Sequence, residues 1–385
     1  MKFTVEKSDL LKSAKNVERG VPSGVAPLPV LHCIRMDLDD SANVLTLKGT
    51  DLSFGVETKL KVRATSGGSI CVNAKLFTQI VNSLGDGAIT VEVVDNNKKM
   101  KISSGRSNFE MRTVAVNEYP AGQKFNEDDE FSVDSKSFLN GISKVVSAAS
   151  SDQSRQVLCG VNVTARTEED TVSFAATDSY RLAVVDVAGL GASFGADTQV
   201  TIPSKALDEL VRSVDPGKNA TISVTISSTA AQFRVGDTTF FTRLIEGTYP
   251  TYEKLLSVEE KYTAKLDTEE MIGTLKRVQI MNDASAVIPA RFDFSDSELR
   301  VSCSKTDVGV ADERLDVHLT PLEEGDEGDT VEDFSIGFNP KYMVDGLNAF
   351  GGEDVVLHIN NELKPVLVTS EKVPDLRYIL MPVRL

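Results

Sequence analysis

The sequence repeats the same landmarks three times in the same order, and this repetition constrains the fold more than any single motif. A Thr-Asp pair between two runs of strand-forming residues occurs at Thr50-Asp51, Thr177-Asp178 and Thr306-Asp307. An apolar segment that opens with a lysine follows each pair, at Lys75, Lys205 and Lys341. One third of the chain is a typical size for a whole domain. We therefore expect three copies of one domain, at residues 1–124, 125–255 and 256–385.

Each copy contains two predicted helices and several predicted strands. Apolar residues recur at helical spacing after Ser or Asp, the residue types that cap helices, in residues 6–20, 134–150 and 267–283. A second helical segment is expected in residues 72–84, 202–214 and 338–350. Alternating apolar and polar residues around polar turns predict strand pairs in residues 89–103, 171–187 and 221–235. These elements predict an α+β fold for each copy.

Composition and charge exclude several classes of protein. The 385 residues carry a formal charge of −16, which excludes a uniformly basic nucleic-acid binder but not a basic surface on part of the protein. The first residues lack the apolar core of a secretion signal, and no run approaches the roughly 18 apolar residues of a membrane span. The 4 cysteines are far apart and are expected as reduced, mostly buried thiols. We expect a cytoplasmic protein without a membrane partner.

No group of residues typical of an active site or a metal site is found in the sequence. His32, His318 and His358 lack a second His or Cys at metal-ligand spacing, and no nucleotide-binding or hydrolase motif occurs. A hydrolase that uses Asp51, Asp178 or Asp307 is conceivable. Thr and Asp side chains more often accept backbone N–H groups in tight turns, which each copy of a domain would need. The sequence therefore predicts no catalytic residue, no metal and no cofactor.

Basic residues recur on the predicted helices of all three copies, whereas the acidic excess lies in predicted loops. Lys12, Lys15 and Arg19 share one face of the first helix because they are spaced i, i+3 and i+7. The other basic residues of these helices are Lys75, Lys136, Lys144, Lys205, Arg212, Lys276, Arg277 and Lys341. If the copies turn these helices toward one place, they form a basic surface that contacts phosphates without reading bases.

Seven segments in fixed order carry a more specific signal. They are MKFTVEKSDLLK (1–12), GTDLSFGVET (49–58), SGRSNFEM (104–111), ATDSYRLAV (176–184), EGTYPTYEKLL (246–256), IGFNPKYMVDGLNAF (336–350) and YILMPVRL (378–385). Together they resemble the bacterial DNA sliding clamps, the beta subunits of the DNA polymerase III holoenzyme. The resemblance covers essentially the whole chain.

The resemblance implies a fold of three repeated clamp domains, with helices inside and antiparallel sheets outside, that forms half of a closed ring. It also implies a processivity factor of DNA replication. A homodimer would encircle double-stranded DNA, slide on it without sequence specificity and catalyse nothing. An ATP-driven clamp loader would load the ring. The expected partners are the polymerase alpha subunit, the clamp loader delta subunit and other proteins with a clamp-binding motif.

Two sets of site residues are implied by the resemblance. The subunit contact of the family corresponds to Phe109 and Met111 facing Ile280 and Met281 of a second chain. The partner-peptide groove of the family, between copies two and three, corresponds to Val157, Leu158, Thr177, Tyr180, Arg181, Leu182, Pro250, Lys254, Leu255, Asn339, Tyr342, Leu363, Met381, Pro382, Val383 and Arg384. Tyr-Arg-Leu follows the Thr-Asp pair in copy two alone, so it is an addition to a shared turn.

Two departures from the family pattern stand out, and one alternative function stays open. Tyr180 occupies a position where relatives often have His, and the loop at residues 20–27 lacks the basic residue that many relatives place there. We therefore expect this loop to contact DNA only weakly. The alternative is a scaffold that binds partner peptides but never encircles DNA, against which only the lysine-bearing helices argue.

Overall fold

A computed structural model of the chain describes residues 1–122, 125–126, 129–281, 288–295, 297–305, 309–322 and 333–385. These residues form two compact units. The first contains Met1–Lys136 and Lys205–Leu244, and the second contains Ser137–Ser204 and Ile245–Leu385. The expected copy boundaries at 124/125 and 255/256 stay a prediction. The Thr306-Asp307 pair of copy three lies outside the described residues.

Six α-helices in the described residues confirm the six helical segments expected from apolar spacing. They are α1 (Lys7–Glu18), α2 (Ala74–Ser83), α3 (Ser135–Val145), α4 (Ser204–Ser213), α5 (Thr268–Val278) and α6 (Pro340–Ala349). The side chains of Asn73, Asp267 and Asn339 accept backbone N–H groups and cap α2, α5 and α6. The expectation of a Ser or Asp cap is wrong for α1, where Glu6 precedes the helix and makes no side-chain capping bond.

The first unit contains a 13-stranded sheet with the order β10-β15-β16-β17-β4-β3-β2-β6-β9-β8-β7-β1-β5. Its strands are β1 (Lys2–Glu6), β2 (Cys33–Asp39), β3 (Val44–Thr50), β4 (Phe54–Lys61), β5 (Arg63–Ser66), β6 (Gly68–Asn73), β7 (Ala88–Val94), β8 (Lys99–Ser104), β9 (Ser107–Val114), β10 (Glu130–Asp134), β15 (Thr221–Ile226), β16 (Ala230–Val235) and β17 (Thr238–Arg243). Because β17 of copy two pairs with β4 of copy one, the sheet continues from one copy into the next.

The second unit contains a 9-stranded sheet, β14-β11-β12-β13-β26-β25-β24-β18-β22, and a 4-stranded sheet, β21-β20-β19-β23. Their strands are β11 (Gly160–Arg166), β12 (Thr171–Thr177), β13 (Arg181–Ala188), β14 (Thr198–Pro203), β18 (Tyr262–Leu266), β19 (Ala290–Phe294), β20 (Glu298–Lys305), β21 (Gly309–Asp316), β22 (Leu319–Pro321), β23 (Phe334–Phe338), β24 (Val355–Ile359), β25 (Val366–Thr369) and β26 (Leu376–Leu380). Here β13 of copy two pairs with β26 of copy three.

The core of each unit lies between helix stripes and sheet faces. Helix α1 buries Leu10, Ala14 and Val17 and packs on β3 and β4, while α5 packs on β20 and β21. Each large apolar side chain that is fully buried stabilises the fold by about 1.5–3 kcal/mol. The four cysteines are free and buried, as expected. Among the described residues, no helix is long and apolar enough to cross a membrane.

Candidate functional site

The Thr-Asp pair of copy one builds a tight turn between β3 and β4. The Thr50 hydroxyl accepts a hydrogen bond from the backbone N–H of Leu52 (3.0 Å) and donates one to the carbonyl oxygen of Phe54 (2.9 Å). The Asp51 carboxylate accepts the N–H groups of Ser53 and Phe54 at 2.9 and 2.7 Å. Leu52, at the tip of the turn, has a φ of 80°. Both polar side chains therefore satisfy backbone groups of the turn.

Copy two repeats this turn between β12 and β13 with the same hydrogen bonds. The Thr177 hydroxyl accepts from the N–H of Ser179 (3.1 Å) and donates to the carbonyl oxygen of Arg181 (2.6 Å). The Asp178 carboxylate accepts the N–H groups of Tyr180 and Arg181 at 2.9 and 3.0 Å. Ser179 has a φ of 77°. The interpretation of the pair as a turn scaffold is confirmed in copies one and two.

Arg181 is the first residue of β13 and is covered by its own chain, with 6% of its side chain exposed. Its Nε donates to Asp178 (3.1 Å), its Nη1 to Asp345 (2.6 Å) and its Nη2 to the carbonyl oxygen of Ser147 (2.5 Å). The ring of Tyr342 lies over the guanidinium, with 4.2 Å between Cζ and the ring centroid. The sequence predicts Arg181 as a groove residue, and the structure places it beneath another one, Tyr342.

An apolar cluster lies behind the turn of copy two. Leu182 on β13 and Ile379 on β26 are opposite each other in the antiparallel pair, and both are buried. Tyr249 and Tyr252 belong to the same cluster, and their rings are arranged edge to face with centroids 6.4 Å apart. Val157, which is partly buried, packs against it. The sequence-predicted residues Val157 and Leu182 are thereby brought together.

The C-terminal residues extend beyond β26 and are tied to two other segments. The N–H of Met381 donates to the carbonyl oxygen of Tyr180 (2.9 Å), and the N–H of Val383 donates to that of Gly337 on β23 (2.8 Å). A Cβ atom on Gly337 would lie 2.4 Å from the carbonyl oxygen of Val383. Glycine at position 337 therefore lets the tail approach β23 closely.

Five of the predicted groove residues expose apolar surface. The exposed fractions are 57% for Tyr180, 50% for Leu255, 70% for Leu363, 37% for Met381 and 39% for Val383. Exposed apolar side chains that cluster are typical of surfaces that bind a partner. Of the other predicted residues, Pro250, Lys254 and Arg384 are exposed, Thr177, Asn339, Tyr342 and Pro382 are partly buried, and Leu158 is buried.

Two of these predicted residues have defined structural positions. Asn339 caps α6, because its side chain accepts the N–H groups of Lys341 (3.0 Å) and Tyr342 (3.4 Å). Leu363 lies in the turn between β24 and β25. Sequence reasoning missed Asp345, which holds Arg181 across 164 sequence positions. The sequence does offer one indication of Asp345: it lies three residues after Tyr342 on α6, and residues at that spacing share a helix face.

The basic residues predicted to face DNA fall into three groups. Four of them form ion pairs: Arg19 with Glu209, Lys205 with Asp51, Arg212 with Asp208 and Arg277 with Glu313. In the described part of the chain, six others are exposed and form no ion pair: Lys12, Lys15, Lys75, Lys136, Lys276 and Lys341. Lys144 is half-buried, and burial lowers its pKa. The six exposed lysines are those whose charge is available to phosphates.

The residues predicted for a subunit contact differ in exposure. On β9, Phe109 is 38% exposed, whereas Met111 is only 5% exposed and lies opposite Met100 of β8. In the 3-10 turn after α5, Ile280 is 73% exposed and Met281 is half-buried. Val310 on β21, which sequence reasoning missed, is 64% exposed. Phe109 and Ile280 are thus available for contact in this chain, while Met111 packs within its own unit.

Three family models match the chain in sequence order. They describe the N-terminal, central and C-terminal domains of the DNA polymerase III beta subunit and match residues 1–123, 132–251 and 253–384. The chain belongs to the DNA polymerase III beta subunit family. It is similar to curated proteins named beta sliding clamp, with 29% identity to that of a Synechocystis species over 402 residues and 28% to that of Synechococcus elongatus over 388 residues. Both comparisons cover 100% of each protein.

Solved structures of clamps share the fold of this beta-subunit chain. The DNA polymerase III beta chain of Streptococcus pneumoniae matches with a TM-score of 0.88 and 23% identity, covering 100% of both chains. The sliding clamp of Bacillus subtilis matches with a TM-score of 0.87 and 24% identity, covering 100% of this chain and 99% of that one. The expected fold of three clamp domains, with mixed helices and antiparallel sheets, is confirmed.

Proposed function

We propose that two copies of this beta-subunit chain form a closed ring around double-stranded DNA. The ring is a processivity factor of replication: it slides on the duplex, holds the replicative polymerase on its template and catalyses no reaction. The match of three successive clamp domains over residues 1–384 carries this proposal. The protein acts in the cytoplasm, where an ATP-driven clamp loader opens the ring and places it on DNA.

Free strand edges support assembly with a second copy. Among the described residues, β21 is the last strand of its sheet, and residues 107–112 of β9 pair with β8 on one side only. Folded proteins cover such edges because exposed backbone groups pair with other chains. A head-to-tail contact that joins β9 of one protomer to β21 of its partner would cover both edges and bury Phe109, Ile280 and Val310. A contact of this kind forms a closed ring when its rotation is correct.

The exposed lysines of the helices support contact with the DNA backbone. Lys12 and Lys15 on α1, Lys75 on α2 and Lys341 on α6 can each approach a phosphate without reading a base. Their number is small and the chain is acidic overall, with a formal charge of −16. Direct affinity for DNA is therefore weak and falls as salt rises. Topological linkage, rather than affinity, keeps the ring on DNA.

The exposed apolar residues beside the C-terminal tail support a groove for partner peptides. Tyr180, Met381 and Val383 are exposed, and a backbone hydrogen bond joins Met381 of the tail to Tyr180. Apolar walls with a few polar groups are typical of grooves that bind short peptides. The partners are the polymerase alpha subunit, the clamp loader delta subunit and other proteins with a clamp-binding motif.

Retention on circular DNA tests the ring. The protein is loaded onto a nicked plasmid with its cognate loader and ATP, and the complex is isolated by gel filtration. The plasmid is then cut once and the separation is repeated. Retention on the circle and loss from the linear form is the expected result, because a ring slides off a free end.

Two other outcomes would contradict the ring. Equal binding to circular and linear DNA indicates attachment through the protein surface. No binding to either form, with a loader that is active on a reference clamp, favours a scaffold that binds peptides but does not encircle DNA.

A further inference from the structure

Asp345 on α6 is one of three groups that hold the buried guanidinium of Arg181. Its carboxylate lies 2.6 Å from Nη1, and its side chain is 25% exposed. Asp178 lies 3.1 Å from Nε, and the carbonyl oxygen of Ser147 lies 2.5 Å from Nη2. Each of the three guanidinium nitrogens thus has an oxygen partner, as a buried arginine requires.

The two carboxylates serve Arg181 in different ways. Asp178 belongs to the Thr-Asp turn, where its Oδ1 accepts two backbone N–H groups, so its removal would also disturb the turn. Asp345 has Arg181 as its hydrogen-bond partner in the described part of the chain. Asp345 is therefore the carboxylate whose loss loosens the hold on the guanidinium, at Nη1, and leaves the turn intact.

The guanidinium supports the ring of Tyr342, which lies 4.2 Å above it. A planar arginine that stacks on an aromatic face fixes the orientation of that face, which lysine cannot do in the same way. The backbone of Tyr342 is held as well, because the hydroxyl of Tyr378 donates to its carbonyl oxygen (2.8 Å). Tyr342 is half-buried: its ring packs on the guanidinium, and part of the residue is accessible.

The positive charge of Arg181 is balanced by carboxylates of its own chain. Burial alone would lower the pKa of Arg181, but Tyr378, Asp345 and Asp178 raise it, so the group stays protonated. With two carboxylates beside it and 6% of its side chain exposed, its charge is compensated before any partner binds. It contributes to binding through shape, by supporting Tyr342.

We propose that Asp345 is a positioning residue of the partner-peptide groove: it holds Arg181 beneath Tyr342 and thereby fixes the tyrosine wall against which a peptide binds. This inference rests on the proposed peptide-binding function. Asp345 itself does not touch the peptide.

The test compares Asp345→Asn, which keeps the size of the side chain and removes its charge, with Asp345→Glu. The matched control is Asp186→Asn, because Asp186 on β13 also pairs with an arginine, Arg377, and is 36% exposed. The probe is a fluorescein-labelled peptide from the C-terminal region of the polymerase alpha subunit of the same organism. Its Kd for the full-length protein is measured by anisotropy at about 0.05 M and 0.3 M salt, which brackets the physiological screening range. NMR of labelled tyrosines, assigned through Tyr342→Phe, reports the ring of Tyr342 directly.

We expect Asp345→Asn to raise the Kd about tenfold at both salt concentrations. The peptide would lose packing against Tyr342, and it would lose no contact with a charged group. Asp345→Glu should recover part of the affinity, and Asp186→Asn should bind like the wild type. The Tyr342 signal should shift in Asp345→Asn and stay unchanged in Asp186→Asn. A purely structural loss would lower the melting temperature without this selective shift.

Three results would overturn the inference. An unchanged Kd in folded Asp345→Asn contradicts the positioning role and leaves the groove itself intact. A loss that is large at low salt and vanishes at high salt indicates direct charge contact with the peptide. Failure of the wild type to bind the peptide overturns the groove and this inference with it. If Asp345→Asn melts below the assay temperature, Tyr342→Leu replaces it in the assay. An unchanged Kd in Tyr342→Leu would contradict the inference as well.

Discussion

Gly55 on β4 lies opposite Phe241 on β17, and a Cβ atom on Gly55 would be 2.0 Å from the Phe241 ring. Gly55 is five residues after Thr50, and the residue five after Thr177 is Leu182, which lies opposite Ile379. Both pairs lie where a sheet continues from one copy into the next. An aromatic ring covers a glycine at the first place, and two aliphatic side chains form an apolar cluster at the second.

Gly55→Ala should destabilise the protein by about 1–3 kcal/mol, because the Phe241 ring must move out of a packed position. Denaturant unfolding measures the change. Gly24→Ala is the matched control, since a Cβ atom there meets no atom within 4 Å, and it should change stability by less than about 0.5 kcal/mol. Phe241→Leu should reduce the cost of Gly55→Ala in a double-mutant cycle. Additive effects of the two substitutions would contradict the steric explanation.

Deletion of Met381 to Leu385 should abolish binding of partner peptides and leave the dimer intact. The deleted tail provides the exposed side chains of Met381 and Val383 and the hydrogen bond to Tyr180, while β26 ends before it at Leu380. Light scattering reports the dimer and anisotropy reports the peptide. A truncated protein that binds the peptide normally would show that the groove lies elsewhere.

Charge reversal of Lys12 and Lys15 should weaken DNA binding more than neutralisation of Arg19. Both lysines are exposed, whereas Arg19 already pairs with Glu209 at 2.6 Å. The salt dependence of the binding constant for duplex DNA should fall by about one unit of slope for each phosphate contact that is lost. Reversal of Lys59 and Lys61, two exposed lysines of β4, changes the net charge equally and should leave the slope unchanged. Equal losses of DNA affinity in the Lys12/Lys15 and the Lys59/Lys61 variants would mean that only net charge matters.

The buried thiols should be unreactive in the native protein and react when it unfolds. Burial, with a smaller contribution from Cys33, raises the pKa of Cys71 to about 12 from a usual value of 9.0. At pH 8 only about one Cys71 thiol in ten thousand is then ionised, and the thiolate is the reactive form. Titration with a disulfide reagent, with and without denaturant, measures this difference. Rapid reaction of Cys71 in the native protein would contradict its burial.

The raised pKa of Cys71 also makes the stability of the fold depend on pH in the alkaline range. The folded state holds the Cys71 proton more tightly than the unfolded state, so this stabilisation is complete below pH 9.0 and is lost as the pH rises toward 12. The free energy of unfolding should therefore decline above about pH 9, and Cys71→Ala should make this decline less steep. An equal slope in both proteins would assign the decline to other groups.

Apolar periodicity, turn residues and the repeated landmarks were sufficient to predict the helices and the hairpins. Helix α5 shows why: Asp267 caps it through the N–H of Glu270, and its apolar stripe repeats every three or four residues. These interactions join residues that are close in sequence. The Thr-Asp turns belong to the same class, because Thr50 and Asp51 bond within four residues.

Local sequence patterns could not predict which charged side chains form ion pairs and which stay exposed. Lys75 and Lys205 are the second residues of α2 and α4. Lys205 nevertheless pairs with Asp51, 154 residues away, whereas Lys75 stays exposed. Likewise, Arg181 was predicted as a groove residue, but the structure shows its side chain to be only 6% exposed. Ion pairs between distant residues depend on which strands meet, and residue type alone does not encode that.

The sequence by itself determined the threefold repeat, the elements of each copy, the Thr-Asp turns and the clamp family, because these follow from local backbone chemistry and from segments in fixed order. Only the tertiary structure decided that sheets cross from copy to copy at Gly55 and at Leu182, and that Asp345 reaches Arg181. Strand pairing between copies brings together residues more than a hundred positions apart, and burial then requires each enclosed charge to find a partner.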